Sequence, residues 1–152
     1  MIGVKDMARE SDEYYTPQWI FQALNIKFDL DVSAPEAGVP WLPTENHYHE
    51  GLDGLAQPWY GKVWMNPPYS KPTPWVQKFI AHGNGIALLP YSKSLWFHEL
   101  WEKADGIVSL TPRMKFEHRD KGTKPIFMPV FLASMGEYCT AHLEASKIGH
   151  MR

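Results

Sequence analysis

The four residues Asn66-Pro67-Pro68-Tyr69, which we call the tetrad, are the part of this sequence best suited to chemistry. They follow the apolar segment Lys62 to Met65, which predicts a short strand ending at the tetrad. Each proline lacks a backbone N–H, has a fixed φ angle and holds the preceding residue in an extended conformation. The resulting stiff turn presents an amide oxygen, free carbonyls and one aromatic ring. This combination suits an exocyclic amine, since it offers acceptors for the amine hydrogens and a flat face for the ring.

Polar residues also end two other predicted strands. A strand from Phe28 to Val32 ends in Asp31-Val32-Ser33-Ala34, and the strand Gly85 to Pro90 is followed by Tyr91 and Ser92. Strands alternate with helical patterns along most of the chain, which predicts an α/β fold with a mainly parallel central sheet and helices on both faces. Ligands bind at the carboxyl ends of such strands, so the three polar segments are expected to meet at one edge. The predicted helices begin at Thr16-Pro17, with a capping residue before proline, at Pro74 and at Leu95.

Composition limits the class of protein. A length of 152 residues with 44% apolar and 21% charged residues is typical of one globular domain. The formal net charge of −2 means that any nucleic-acid binding must come from a local basic patch. The single cysteine, Cys139, excludes an internal disulfide framework. No apolar run is long enough to cross a bilayer and no signal peptide is evident, so we expect an intracellular protein without membrane contact.

Several blocks between Asp12 and Ala133 resemble the small phage-type DNA N6-adenine methyltransferases, the Dam family. These enzymes are amino methyltransferases that use S-adenosylmethionine, and the tetrad looks like their catalytic motif. The resemblance implies a Rossmann-like methyltransferase fold, a phage or prophage origin, and action in the cytoplasm of a bacterial host. The matching blocks begin at Tyr15-Thr16-Pro17, Phe28-Asp29-Leu30-Asp31, Asp53-Gly54-Leu55, Val63-Trp64-Met65-Asn66, Pro74-Trp75-Val76 and Arg113-Met114-Lys115-Phe116.

The resemblance gives each tetrad residue a role in methyl transfer to adenine N6. The Asn66 side-chain oxygen and the Pro67 carbonyl would accept hydrogen bonds from the amine and stabilise its developing positive charge. Pro68 would hold the turn, and Tyr69 would stack on an adenine flipped out of the duplex.

The resemblance also implies the residues that bind S-adenosylmethionine. Asp31 would meet the amino group of the methionine moiety, and Asp53 would accept a hydrogen bond from the cofactor's adenine amine. The turn after the first strand lacks the glycine of the wider methyltransferase class, which matches the phage subfamily. Glu45 and Glu50 are the candidates for the acidic residue on the ribose hydroxyls. The implied cofactor-binding set is Tyr15, Thr16, Pro17, Asp31, Ser33, Ala34 and Asp53.

Double-stranded DNA is the implied partner, and a polar segment from Arg113 to Pro125 is predicted to be a basic loop that contacts it. Such long connections are often functional, and lysine and arginine side chains bind phosphates. Lys78, near the tetrad, is a further candidate for phosphate contact. The expected DNA-binding residues are Lys71, Arg113, Lys115, Arg119, Lys121 and Lys124.

Two other functions remain compatible with the sequence. A protein glutamine-amide methyltransferase would need the same acceptors for its reacting nitrogen, and a DNA-binding or decoy protein could retain the fold without turnover. His47 and His49 have a spacing seen in metal sites but lack a third ligand, so we expect no metal. We divide the chain into a loose arm (1–13), a methyltransferase domain (14–140) and a carboxyl-terminal tail (141–152).

Overall fold

Six strands form the main sheet, in the order β3-β2-β4-β5-β9-β6. The structure is a computed structural model that describes residues 14–35, 38–49, 53–110, 115–118, 122–125 and 129–152. The strands are β1 (Tyr14–Tyr15), β2 (Leu30–Ala34), β3 (His47–His49), β4 (Val63–Met65), β5 (Gly85–Pro90), β6 (Gly106–Ser109), β7 (Lys115–His118), β8 (Gly122–Pro125) and β9 (Val130–Met135). The helices are α1 (Gln18–Leu24), α2 (Thr73–His82), α3 (Leu95–Lys103) and α4 (Glu137–Ser146).

The main sheet is mixed, so the prediction of a mainly parallel sheet is wrong. Strands β3, β2, β4 and β5 pair in parallel, whereas β9 pairs antiparallel with both β5 and β6. The apolar sequence of β9 is consistent with its burial, but such a run carries no information about strand direction. Because β9 is antiparallel to β6, the connection between them leaves and re-enters the sheet at the same edge. This edge is also the one at which β2, β4 and β5 end.

Helices cover both faces of the main sheet, as the sequence predicts. On one face, α1 and α4 contribute Phe21 and Leu143 to a core that includes Trp64 of β4. On the other face, α2 and α3 contribute Phe79 and Leu100. Every residue of β4 is buried, since the strand lies between two helical layers. The strand that carries the tetrad is therefore held on both sides by apolar packing.

A second, smaller sheet has the order β1-β7-β8 and is antiparallel. It contains two parts of the segment that we predicted to be a basic loop, so that prediction is wrong for 115–118 and 122–125. The segment is rich in polar residues and lacks the apolar alternation that marks a half-buried strand, so no strand is predicted there from sequence. Strand β1 pairs with β7 immediately before Thr16, so the small sheet adjoins the amino end of α1.

Residues 141–152, predicted to be a tail, take part in the packed structure. Helix α4 continues to Ser146 with Leu143 buried, and Met151 bridges to Val108 on the outer strand β6. The predicted arm (1–13) lies outside the described residues. Within the described part of the chain, none of the helices has both the length and the apolar character needed to cross a membrane.

Candidate active site

The candidate site lies at the carboxyl edge of the main sheet, where β2 and β4 end side by side. Asp31 of β2 is in register with Trp64 of β4. Beyond this pairing, the backbone N–H of Asn66 donates a hydrogen bond to Ser33 Oγ at 3.1 Å. Trp64 is fixed in the core by edge-on contact with Phe21, at 4.7 Å between ring centroids. The first residue of the tetrad is therefore anchored to β2 on one side and to a rigid strand on the other.

Asp31 is a buried carboxylic acid, with 2% of its surface exposed. Burial raises the pKa of Asp31 to about 7, although the backbone N–H of Ser33, 3.2 Å from Oδ1, partly opposes the shift. Among the described residues, no lysine, arginine or histidine forms an ion pair with this carboxyl group. A cationic group placed beside Asp31 would lower its pKa again and compensate the buried charge.

The four residues of the tetrad differ in how far they are buried. Pro67 is buried and Pro68 is exposed, whereas Asn66 and Tyr69 are half-buried. The Asn66 Nδ2 group donates to Thr16 Oγ1 at 3.3 Å, which leaves Oδ1 on the opposite edge of the amide. The Tyr69 hydroxyl donates to the Leu88 carbonyl of β5 at 3.3 Å, and the ring packs partly on the core. The tetrad is thus bonded to the segment that precedes α1, to β2 and to β5.

The amino-terminal block meets the tetrad through Thr16. Both Thr16 and Pro17 are buried, and the Thr16 carbonyl accepts a hydrogen bond from Trp41 Nε1 at 2.7 Å. The cap of α1 is Pro17, with no side-chain capping bond, so the prediction that Thr16 caps this helix is wrong. Its hydroxyl contacts Asn66 instead. Tyr15 lies in β1, and its side chain is outside the described residues.

The loop that carries Asp53 packs against the end of β2. Asp53 is exposed and has a φ angle of 47°. A Cβ atom added to Gly54 would lie 2.0 Å from the Val32 carbonyl oxygen, so only glycine permits this approach. Trp59 Nε1 donates to the Gly54 carbonyl at 2.8 Å, and Lys78 Nζ donates to the Leu55 carbonyl at 2.7 Å. Lys78 therefore stabilises this loop from within the protein.

The sequence predicted one edge for these groups, and the structure brings most of them together there. Asp31, Ser33, Asn66 and Thr16 are linked by hydrogen bonds, and Ala34 and Pro17 are buried beside them. Trp41, Gly54 and Trp59 complete the surroundings but were not identified as site residues. Trp41 lies in a proline-rich segment without periodicity, and only a three-dimensional contact reveals its partner.

The proposed DNA-binding residues are described only in part. Lys71 is exposed just after the tetrad. Lys115 lies on β7 opposite Pro125, and Lys124 lies on β8 opposite Phe116. The connection that carries β7 and β8 leaves the main sheet at the edge where the tetrad lies. Outside the described residues are Arg113, Arg119 and Lys121.

The remaining sequence candidates are less central. His47 and His49 lie on β3 with 6.2 Å between ring centroids. Among the residues with described positions, no cluster of three or more His, Cys, Asp or Glu side chains is arranged to hold a metal. Glu45 precedes β3 and faces Lys27 at 3.9 Å, toward the opposite edge of the sheet, so it does not fit a ribose contact. Glu50 lies outside the described residues.

Together, these observations define an α/β protein with a candidate ligand site at the carboxyl edge of its sheet, where the Asn66 amide is linked through Ser33 to a buried acid. The comparison with protein families is more specific, because residues 4–127 match the family described as DNA N-6-adenine-methyltransferase (Dam). This chain belongs to that family, as its resemblance to the phage-type enzymes predicts.

Two relatives support this assignment. A DNA N-6-adenine-methyltransferase of Haemophilus phage HP1 is 32% identical over 140 residues, covering 80% of this chain and 79% of the phage protein. A DNA N-6-adenine-methyltransferase of Escherichia phage T1 is 39% identical over 90 residues, which cover 54% of this chain and 36% of the T1 protein. No solved structure matches the chain.

Proposed function

We propose that this protein transfers a methyl group from S-adenosylmethionine to N6 of an adenine in double-stranded DNA, at the carboxyl edge between β2 and β4. Methylation of adenine N6 in DNA is the activity that membership of the Dam family gives it. Beyond this activity, we propose that the donor is S-adenosylmethionine, that the adenine is flipped out of the duplex, and that the residues named below bind the donor and the adenine.

Asp31 is the residue best placed to hold the donor. When bound, S-adenosylmethionine supplies an activated methyl group, and its methionine moiety carries a cationic amine. Asp31 is buried without a described cationic partner. The amine of the donor would therefore compensate the free-energy cost of a buried, negatively charged carboxylate. Thr16, Pro17, Ser33 and Ala34 would line the same subsite. Asp53, on the loop fixed by Gly54, would accept a hydrogen bond from the adenine amine of the donor.

Asn66 and Pro67 would act on the substrate amine. The Nδ2 group of Asn66 is bonded to Thr16, so Oδ1 is the atom that remains to accept an N6 hydrogen. Pro67 offers its carbonyl as a second acceptor. Two acceptors would orient the nitrogen lone pair and stabilise positive charge as the N–C bond forms and the S–C bond of the donor breaks, which leaves a neutral thioether. The methylated nitrogen would then lose one proton to solvent, so positioning the amine requires no separate base. Tyr69 would stack on the adenine, which must leave the duplex to reach this edge.

DNA would approach the same edge. The small sheet β1-β7-β8 is connected to the main sheet there, and it carries Lys115 and Lys124. Lys71 adds an exposed cation two residues after the tetrad. Phosphate contacts from these residues and from Arg113, Arg119 and Lys121 would position the duplex.

One observation carries the proposal. Ser33 bonds to Asp31 Oδ1 through its backbone N–H and to the Asn66 backbone N–H through its hydroxyl. A single residue therefore joins the acid suited to the donor and the tetrad suited to the acceptor. Methyl transfer requires these two subsites to be adjacent.

The test is incorporation of label from S-adenosylmethionine into unmethylated duplex DNA, followed by nucleoside analysis. We expect N6-methyladenine from the wild type and a loss of about 10²- to 10³-fold in kcat for Asn66→Ala, as for removal of one transition-state hydrogen bond. Gln77→Ala, at an exposed position on α2, serves as the control and should keep full activity. Circular dichroism of each variant verifies folding.

The same assay separates the alternatives. Label in a protein glutamine amide, with none in DNA, would identify a protein methyltransferase. DNA binding without affinity for S-adenosylmethionine would identify a decoy. Either result overturns the proposal.

A further inference from the structure

Thr16 occupies an unusual position for a residue that precedes a helix. Its surface is 1% exposed, and its hydroxyl makes no capping bond to α1. The hydroxyl oxygen accepts a hydrogen bond from Asn66 Nδ2, a residue fifty positions further along the chain. The side chain of Thr16 is thus directed into the tetrad.

Thr16 is itself held in place by three constraints. Pro17 favours an extended backbone at Thr16, and the β-branched side chain has few rotamers. The Thr16 carbonyl accepts a hydrogen bond from Trp41 Nε1 at 2.7 Å, and Trp41 packs on the core that includes Trp64. The hydroxyl is therefore a fixed point for Asn66.

Fixing the Asn66 amide has a direct consequence for its oxygen. The amide group is planar, so a bond that holds Nδ2 against Thr16 also sets the direction of Oδ1. The backbone of Asn66 is fixed separately by Ser33. Backbone and side chain of the tetrad's first residue are thus both constrained before any ligand binds.

We infer that Thr16 is a positioning residue, whose hydroxyl orients the Asn66 amide so that Oδ1 faces the amine to be methylated. This inference rests on the proposed role of Asn66. It adds to the proposed lining of the donor subsite, because the described polar contact of the hydroxyl is with the tetrad.

Two substitutions separate the roles. Thr16→Val keeps the shape of the side chain but removes the hydroxyl, whereas Thr16→Ser keeps the hydroxyl. For a positioning residue, we expect kcat to fall about tenfold in Thr16→Val, the fold-change of one net hydrogen bond, with little change in the dissociation constant of S-adenosylmethionine. Thr16→Ser should restore most of the rate. Weaker donor binding with an unchanged kcat in Thr16→Val would overturn the inference.

A second measurement does not depend on methyl transfer. The side-chain ¹⁵NH₂ signals of Asn66, assigned by their loss in Asn66→Ala, should shift in Thr16→Val and stay near their wild-type position in Thr16→Ser. Unchanged signals in Thr16→Val would overturn the inference. If the wild type methylates no DNA, this measurement still decides whether Thr16 orients the amide. A failure of the proposed function can therefore be distinguished from a failure of the inference about Thr16.

Trp41→Phe provides a variant that leaves the Thr16 hydroxyl intact. It removes the bond to the Thr16 carbonyl, so the Asn66 signals should move in the same direction by a smaller amount and kcat should fall less than tenfold. If Thr16→Val does not fold, Trp41→Phe carries the test, and the absence of both effects would count against the inference.

Discussion

The two halves of the main sheet are built differently. In the antiparallel half, β9 and the strand β5, which pairs with the parallel half on its other side, have six residues each, and all but the last residue of each is buried. In the parallel half, β3 and β4 have only three residues, and the pairing of β2 with β3 is irregular between Asp31 and Ala34. At the end of the parallel half, the backbone hydrogen bonds between strands are followed by hydrogen bonds that involve the side chains of Ser33, Asn66 and Thr16. Long strands thus support the fold where no chemistry is expected, and short strands leave room for polar groups at the site.

The largest expected effect on stability lies in the antiparallel half. Phe131 on β9 is fully buried and packs against Tyr91 and Phe97, at 5.2 and 5.7 Å between ring centroids. Phe131→Ala should lower the free energy of unfolding by about 3–5 kcal/mol, through lost transfer energy and a cavity. Urea denaturation measures this change. Tyr138→Ala, at a half-exposed ring on α4, is the matched control, with an expected change within about 1 kcal/mol. Equal effects of the two substitutions would contradict the comparison.

Asp31, in the parallel half, should make the free energy of unfolding depend on pH. Its pKa is raised from 3.8 to about 7 by burial, so the folded state binds more protons than the unfolded state between these values. The free energy of unfolding therefore falls as pH rises through this window, by up to about 4 kcal/mol. Asp31→Asn should remove this dependence and be more stable than the wild type at pH 8. Denaturation from pH 4 to 8 measures the difference between the two proteins.

The same substitution should separate stability from function. Asp31→Asn should bind S-adenosylmethionine weakly at every pH. In the wild type, affinity should increase as pH rises toward 7, because the cationic amine binds the charged carboxylate. Calorimetric titration at several pH values tests this prediction, and wild-type affinity that does not vary with pH would remove Asp31 from the donor subsite.

Substitution of Gly54 tests the close contact between the Asp53 loop and the Val32 carbonyl of β2. Gly54→Ala would place Cβ against the Val32 carbonyl, so we expect a loss of about 1–3 kcal/mol in stability together with weaker donor binding. Gly83→Ala is the matched control. Gly83 has a φ angle of 73°, and a Cβ atom there would lie at an ordinary contact distance of 3.9 Å from the Ile80 carbonyl oxygen, so its cost of about 1 kcal/mol comes from backbone strain alone. Thermal denaturation and calorimetry compare the two, and weaker donor binding in Gly83→Ala as well would argue against a local effect.

Ser33 should give the smallest change in stability. Ser33→Ala removes the acceptor of the Asn66 N–H, at an expected cost of about 1 kcal/mol. Its effect on kcat should exceed that of Ser146→Ala, which removes a similar bond to the Ile148 N–H at the end of α4. Parallel denaturation and turnover assays make the comparison. Equal kcat values in the two variants would show that Ser33 does not link the subsites.

Several elements could be predicted because their sequence patterns are local. The apolar run Gly85 to Pro90 is confirmed as β5, and the strand predicted from Phe28 to Val32 overlaps β2. Helix α4 was not predicted, since Cys139 and Leu143 are its only buried residues and give a weak periodic signal. Strands β7 and β8 were also missed, because their strand conformation depends on pairing with β1 and with each other.

The sequence by itself determined the tetrad, the acid Asp31 in β2 and the family. These follow from residue types over short spans, where proline geometry and apolar patterning act locally. The tertiary structure alone decided the direction of β9, the approach of Gly54 to Val32 and the bond between Thr16 and Asn66. Those features join residues far apart in the chain, and packing around a shared core selects such contacts rather than local preference.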